Sequence, residues 1–187
     1  KTAPEPGQNL HLTLNISLQR VAVDALKGKR GAIVAINPEN GDVLAMVSSP
    51  GYDPNPFVNG IDEKSYNQLL LSKEAPLINR VMQGKYPPGS TIKPFLGLLA
   101  LNAGMRHLAD ETWCPGWYSL QGSEHRYRDW KKYGHGYTGL KKAITQSCDV
   151  YFYNLAHDLG INRIQAGLSD FGFGKETGID IGGETGA

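Results

Sequence analysis

Two apolar runs constrain the fold of this chain more than any other feature. Gly31–Ile36 and Val43–Ser48 are rich in Val, Ile and Ala and do not alternate with polar residues. A strand that faces water on one side alternates, so runs of this kind belong to strands covered on both faces. Between them lies Asn37-Pro38-Glu39-Asn40-Gly41-Asp42, a cluster of turn formers that predicts an antiparallel hairpin. The expected class is mixed α+β, with an antiparallel central sheet flanked by helices.

The helices can be placed around that hairpin. Asn15 can cap a helix whose Leu18, Val21, Ala22, Ala25 and Leu26 share one face, after a short β-prone run over His11–Leu14. Further helices are expected over Glu63–Leu71, Thr91–Asn102, Leu140–Gln146, Val150–Leu159 and Ile161–Leu168. Trp113–Gly139 reads as one long irregular stretch, and such loops are usually functional or specially stapled. Residues 1–8 read as a tail or linker, and the C-terminal end is glycine-rich loop.

Composition mainly excludes. The 187 residues suffice for one core or part of a larger one. The 19 basic and 18 acidic side chains nearly cancel, which argues against a nucleic-acid partner. The longest apolar run, Phe95–Leu101, is too short to span a bilayer, and no signal segment opens the chain.

Ser90-Thr91-Ile92-Lys93 carries the chemistry. Pro87-Pro88-Gly89 breaks the chain just before it, so Ser90 falls at a helix start with Lys93 one turn on. A serine hydroxyl needs a nearby base to attack a carbonyl, and the amine is within reach. The helix-start amides offer one donor to a developing oxyanion. A neutral lysine costs roughly 4–5 kcal/mol at pH 7, so its surroundings must favour the amine. The tetrapeptide alone is weak, since S-x-x-K arises about once by chance in a chain like this. The bland reading is a serine cap and a solvated lysine. The apolar helix that follows, and a second triplet Ser147-Cys148-Asp149, 57 residues later between two helices, favour the chemical reading.

Pro87–Pro94, the upstream hairpin and the Ser-x-Asp triplet together resemble the transpeptidase domain of class B penicillin-binding proteins. Tyr52-Asp53-Pro54-Asn55-Pro56-Phe57 and Arg126–Gly136 look like the elongation-specific branch, the penicillin-binding protein 2 type. The resemblance implies a penicillin-binding protein/β-lactamase-like fold and a D,D-transpeptidase that cross-links peptidoglycan stem pentapeptides and is acylated by β-lactam antibiotics. It implies a domain at the periplasmic face of the bacterial inner membrane, on an anchor outside this chain. A membrane glycosyltransferase of the elongation complex would be its partner, and catalysis would need no cofactor. Ser90 becomes the nucleophile, Lys93 its base and Ser147 the relay to the leaving amine, with Asp149 in the usual Asn place. An ionised Asp149 beside Lys93 would favour the ammonium and oppose the base role. The family's Lys-Ser/Thr-Gly strand is absent, since Lys175-Glu176-Thr177-Gly178 carries an extra residue. Residues 9–187 are thus expected to be the N-terminal part of a transpeptidase domain, incomplete at the C-terminus. Rival readings are a serine β-lactamase or β-lactam sensor, and a catalytically incomplete binding module.

Cys114 and Cys148 are the only cysteines, with Asp129 and His135 between them. The four make an S₂NO donor set suited to a tetrahedral structural zinc. Their spacings match no finger, and three alternatives stand beside the metal: a disulfide, two free buried thiols, or a histidine that only hydrogen-bonds. The resemblance adds that some elongation-type relatives carry metal here.

Overall fold

The computed structural model describes residues 7–184, so residues 1–6 of the expected tail and residues 185–187 lie outside the described part. Two compact units divide the described residues, one made of residues 7–85 and 180–184, the other of residues 86–179.

In the first unit, α1 (Ile16–Ala25) starts where the Asn15 side chain accepts the Leu18 amide at 3.0 Å. The expected hairpin is β1 (Gly31–Ile36) antiparallel to β2 (Val43–Ser49), in the register Ile33↔Val47 and Ala35↔Ala45. Those four side chains form one face, on which Ala22 and Leu26 of the first helical segment pack. Cover on the opposite face is only partial among the described residues, where Val34 is 43% exposed. Among the described residues that sheet has two strands. His11–Leu14 forms no strand. It leads into a segment that satisfies the outer edge of β2 in other ways: Thr13 Oγ1 donates to the Val43 carbonyl, and the Asn15 amide to that of Leu44. The Gln19 amide group, in turn, bonds both the N–H and C=O of Met46 at 2.8 Å. Three short helices follow: α2 (Asn55–Val58), α3 (Glu63–Leu70) and α4 (Arg80–Gln83), the last packed against the hairpin.

In the second unit, Pro88 and Gly89 (φ +55°) turn the chain into a 3₁₀ turn over Gly89–Ile92, which runs on into α5 (Lys93–Asn102). The helix expected from Thr91 therefore begins in a tighter winding. Its apolar side meets α6 (Leu140–Thr145), α7 (Asp149–Leu159) and α8 (Ile161–Asp170) around Leu96, Ala100, Ala143, Phe152 and Leu155. Two glycines allow the close crossings. A Cβ on Gly97 would stand 2.8 Å from Leu140, and one on Gly167 would overlap the Leu99 side chain.

Trp113–Gly139 is not the irregular stretch expected from its sequence. It is built on β3 (Glu111–Cys114) paired with β6 (Gly136–Gly139), and β4 (Trp117–Tyr118) paired with β5 (Tyr127–Arg128). Strands of two and four residues are too short for alternation to register. Aromatic contacts help to hold them, as in the edge-to-face pair of Trp113 and Tyr137 at 5.0 Å.

Candidate active site

Ser90 sits exposed in the 3₁₀ turn, and Lys93, only 7% exposed, opens α5 one turn later. Ser147 approaches from the turn between α6 and α7. Its φ of +52° lies in the left-handed region, which costs a non-glycine residue about 1–3 kcal/mol. The Ser147 amide donates to the Ile144 carbonyl at 3.2 Å and the Cys148 amide to Ala143 at 2.9 Å, which holds that conformation. The result places Ser147 Oγ 2.8 Å from Ser90 Oγ and 3.1 Å from Lys93 Nζ.

Lys93 Nζ also donates to the Ser147 carbonyl at 2.9 Å and to Asp149 Oδ1 at 2.6 Å. These contacts use all three protons of an ammonium. Among the described residues no hydrogen bond joins Ser90 to Lys93 directly; the connection runs through Ser147. Helical spacing brought the two residues to one place, but the link between them is tertiary. The pairing of Asp149 with Lys93 is realised, and the other Asp149 oxygen accepts the Trp130 amide at 3.3 Å.

The second group of residues lies behind the same turn. Cys114 at the end of β3 and Cys148 at the N-cap of α7 are both fully buried free thiols. One ligand atom from each of them and one from Asp129 lie within 4.8 Å of one another. Asp129 Oδ2 is 3.6 Å from Cys114 Sγ and accepts the Asp149 and Val150 amides at 2.8 and 3.1 Å. It thus caps α7 from outside that helix. Burial pushes the Asp129 carboxyl up, but the Lys131 and Val150 amides, the Cys148 thiol and His135 outweigh it and hold it below the usual range. Burial, with Cys114 beside it, pushes the Cys148 thiol up to about 12.

His135 lies outside the three-residue cluster, with Nε2 3.1 Å from Asp129 Oδ1. Its Nδ1 is 3.0 Å from Gln146 Oε1. A carbonyl oxygen only accepts, so Nδ1 is the donor, and Nε2 of the neutral ring turns a lone pair toward a carboxylate. That pair of acceptors needs a positive centre between them, a proton or a metal ion. Zinc with ligands at about 2.0–2.3 Å brings N/O ligands about 3.3 Å apart and S/O ligands about 3.5 Å apart, near the separations found. Cys114, Asp129 and Cys148 lie close enough together to share one ion, and His135, bonded to the other Asp129 oxygen, lies outside that group. Three residues that sequence reasoning missed tie this group to the turn. Trp130 donates its indole N–H to the Gln146 carbonyl at 3.0 Å, and Lys142 donates to the His135 and Tyr137 carbonyls at 2.8 and 2.9 Å. Gln146 is the third, through its bond to His135.

Residues 31–187 match the penicillin binding protein transpeptidase domain. The chain belongs to that family, and its fold is the transpeptidase fold of penicillin-binding proteins. Over 97% of its length it is 46% identical to the peptidoglycan D,D-transpeptidase MrdA of Escherichia coli (strain K12), of which it covers 29%. It also resembles Pseudomonas aeruginosa PBP2 solved in complex with WCK 5153, at 51% identity and a TM-score of 0.86. That match takes in 93% of this chain and 40% of the other. Penicillin-binding protein A of M. tuberculosis, solved as a penicillin G acyl-enzyme complex, is 28% identical with a TM-score of 0.76. There the shares are 86% of this chain and 39% of the other. The chain thus spans less than a third of the curated relative. Catalysis in this family needs no cofactor. Among the described residues no helix is long and apolar enough to cross a membrane.

Proposed function

We propose that residues 9–187 are the N-terminal part of a peptidoglycan D,D-transpeptidase domain, and that Ser90 is its nucleophile. The observation that carries this reading is the chain of contacts Ser90 Oγ–Ser147 Oγ–Lys93 Nζ, at 2.8 and 3.1 Å. Ser90 Oγ attacks the penultimate D-Ala carbonyl of a stem pentapeptide. Its proton passes to Ser147, and the Ser147 proton passes to Lys93, which enters the step as the neutral amine. Asp149 steadies the ammonium that forms. As the C–N bond breaks, Ser147 returns a proton to the departing D-Ala amine, leaving an ester on Ser90. An amine of a neighbouring stem then takes the acyl group and frees the serine. The Ser90 amide at the helix start supplies one oxyanion donor. The second donor and the Lys-Thr/Ser-Gly strand belong to chain outside these 187 residues.

β-Lactams acylate Ser90 by the same attack, as the acyl-enzyme of the mycobacterial relative suggests. The whole protein acts at the periplasmic face of the inner membrane on an anchor outside this chain, with a membrane glycosyltransferase of the elongation complex as its partner. Cys114, Asp129, His135 and Cys148 hold a structural zinc. That ion pins the loop around Asp129 to the Ser147 turn and leaves no open position for chemistry. Labelling of the intact protein by a fluorescent penicillin tests the function. Mass spectrometry should place a slowly hydrolysed adduct on Ser90. An adduct on Ser147 or Thr91 overturns the assignment, and rapid release of hydrolysed penicillin points to a β-lactamase. Elemental analysis in zinc-free buffer tests the metal, and less than about a tenth of an equivalent ends that reading.

A further inference from the structure

The short ribbon of β4 and β5 has two unlike faces. Tyr118 and Tyr127, paired across the strands, turn toward α7, each with its ring centroid 6.0 Å from that of Tyr153. The other cross-strand pair, Trp117 and Arg128, lies on the opposite face and is exposed, as alternation along a strand requires. Exposed Arg126 lays its guanidinium over the Trp117 ring, 4.4 Å from the centroid. Among the described residues neither arginine is in an ion pair. The surplus of charge is regional. Residues 113–142 carry six basic and two acidic side chains, in a chain of net charge +1, and one of those acids is the buried Asp129. Guanidinium forks without partners, beside an indole, suit carboxylates, which arginine binds through two parallel hydrogen bonds. Directly after Arg128 the chain enters Asp129 and Trp130, which bond the Asp149 amide and the Gln146 carbonyl. The face is thereby fixed against the turn that carries Ser147, which favours a substrate strand over an anionic membrane as its occupant. We infer that Trp117, Arg126 and Arg128 form a docking face for the carboxylate-bearing stem peptides of a peptidoglycan strand. The face holds one stem while another on the same strand reaches Ser90, so it raises the local concentration of substrate without entering the reaction.

This docking role rests on the peptidoglycan reading above, and the experiment separates the two. The intact protein is first treated with penicillin, which blocks Ser90 and tests the reading by its mass shift. Binding of soluble, un-cross-linked peptidoglycan strands to the blocked protein is then measured at low and moderate salt. The wild type should bind, and more weakly as salt rises. An Arg126→Ala/Arg128→Ala double variant should bind about tenfold more weakly, and Arg126→Lys/Arg128→Lys should recover part of the loss. Both side chains are exposed, so the alanine variant should melt like the wild type. Glycan stripped of its stems should bind poorly to every form. Equal strand binding by the wild type and the alanine variant overturns the inference, and an adduct on Ser90 then leaves the function standing. A loss seen with anionic phospholipid vesicles but not with strands overturns it in favour of a membrane. No adduct on Ser90 ends the transpeptidase reading, and a strand affinity that still falls in the alanine variant upholds the docking face alone. If the alanine variant does not fold, the wild type decides: binding that ignores salt, or is as strong for stripped glycan, overturns the inference.

Discussion

Two clusters share the turn from Gln146 to Val150, and they are built to opposite specifications. The cluster of Ser90, Lys93, Ser147 and Asp149 opens to solvent through an exposed Ser90 and includes a backbone held in the left-handed region. Asp149, its carboxylate, keeps 26% of its side chain exposed. The cluster of Cys114, Asp129, His135 and Cys148 is buried throughout, and Asp129 spends both oxygens on fixed donors. A group meant to react must lose and regain protons, so it is left with exchangeable partners and access. A group meant to hold is desolvated and saturated, and it transmits its order through the shared backbone to Ser147. If this division is right, damage to the open cluster should abolish chemistry at little cost in stability. Damage to the closed one should cost stability first and slow chemistry only indirectly, through Ser147.

The sharpest break would come from Ser90→Ala. Covalent labelling of the intact protein by a fluorescent penicillin should vanish, while the melting curve stays within about 0.5 kcal/mol of wild type, since the lost hydroxyl is exposed. Residual labelling in this variant would mean that the open cluster has been given the wrong nucleophile.

Lys93→Ala should slow acylation by about 10²–10⁴-fold. Here the division is not clean, because Lys93 is buried and ties down both Ser147 and Asp149. A stability loss of about 2 kcal/mol is expected, below the range for fully buried pairs because Asp149 is partly exposed. Stopped-flow acylation and thermal melts measure the two effects. Wild-type acylation rates would remove Lys93 from the proton path.

If the closed cluster holds zinc as proposed, removing the metal, or His135→Ala, should lower the melting temperature and slow acylation up to about 10²-fold through a displaced Ser147. Adding zinc back should restore the chelated wild type and fail to restore His135→Ala. A protein that is indifferent to chelators but destabilised by reducing agent would instead carry a disulfide between Cys114 and Cys148.

The two clusters differed as much in how far they could be read from sequence. Ser90 and Lys93 were plain because local chain chemistry makes the motif: a breaker, a serine, and a lysine one helical turn on. The hairpin was plain because continuous apolar runs and a turn cluster are also local signals. The link from Ser90 to Lys93 through Ser147 was not, since it depends on a left-handed residue that no local propensity favours. Nor was the role of Asp129 as a cap, because it reaches α7 across 20 residues of chain. The small sheets within Trp113–Gly139 escaped for a related reason: their pairing is decided by partners up to 28 residues apart (Glu111↔Gly139), on strands too short to carry a pattern.

The smallest expected effect concerns Asp129 as a cap, measured with metal chelated so that ligand protonation does not intrude. Asp129→Asn keeps the shape and one acceptor but loses the charge that strengthens the bonds from the Asp149 and Val150 amides. Near neutral pH this should cost about 2 kcal/mol, a few degrees of melting temperature. The folded carboxyl is held below its ordinary value, so its stabilisation is fully present above about pH 4, where the unfolded carboxyl is ionised. It is lost as pH falls through the lower folded value, because a protonated Asp129 then resembles the asparagine. The gap between wild type and Asp129→Asn should therefore be present at pH 5 and begin to narrow as pH falls below about 4. A gap that does not narrow at all as pH falls below about 4, or never exists at pH 7, would show that the closed cluster holds α7 by packing and not by its buried charge.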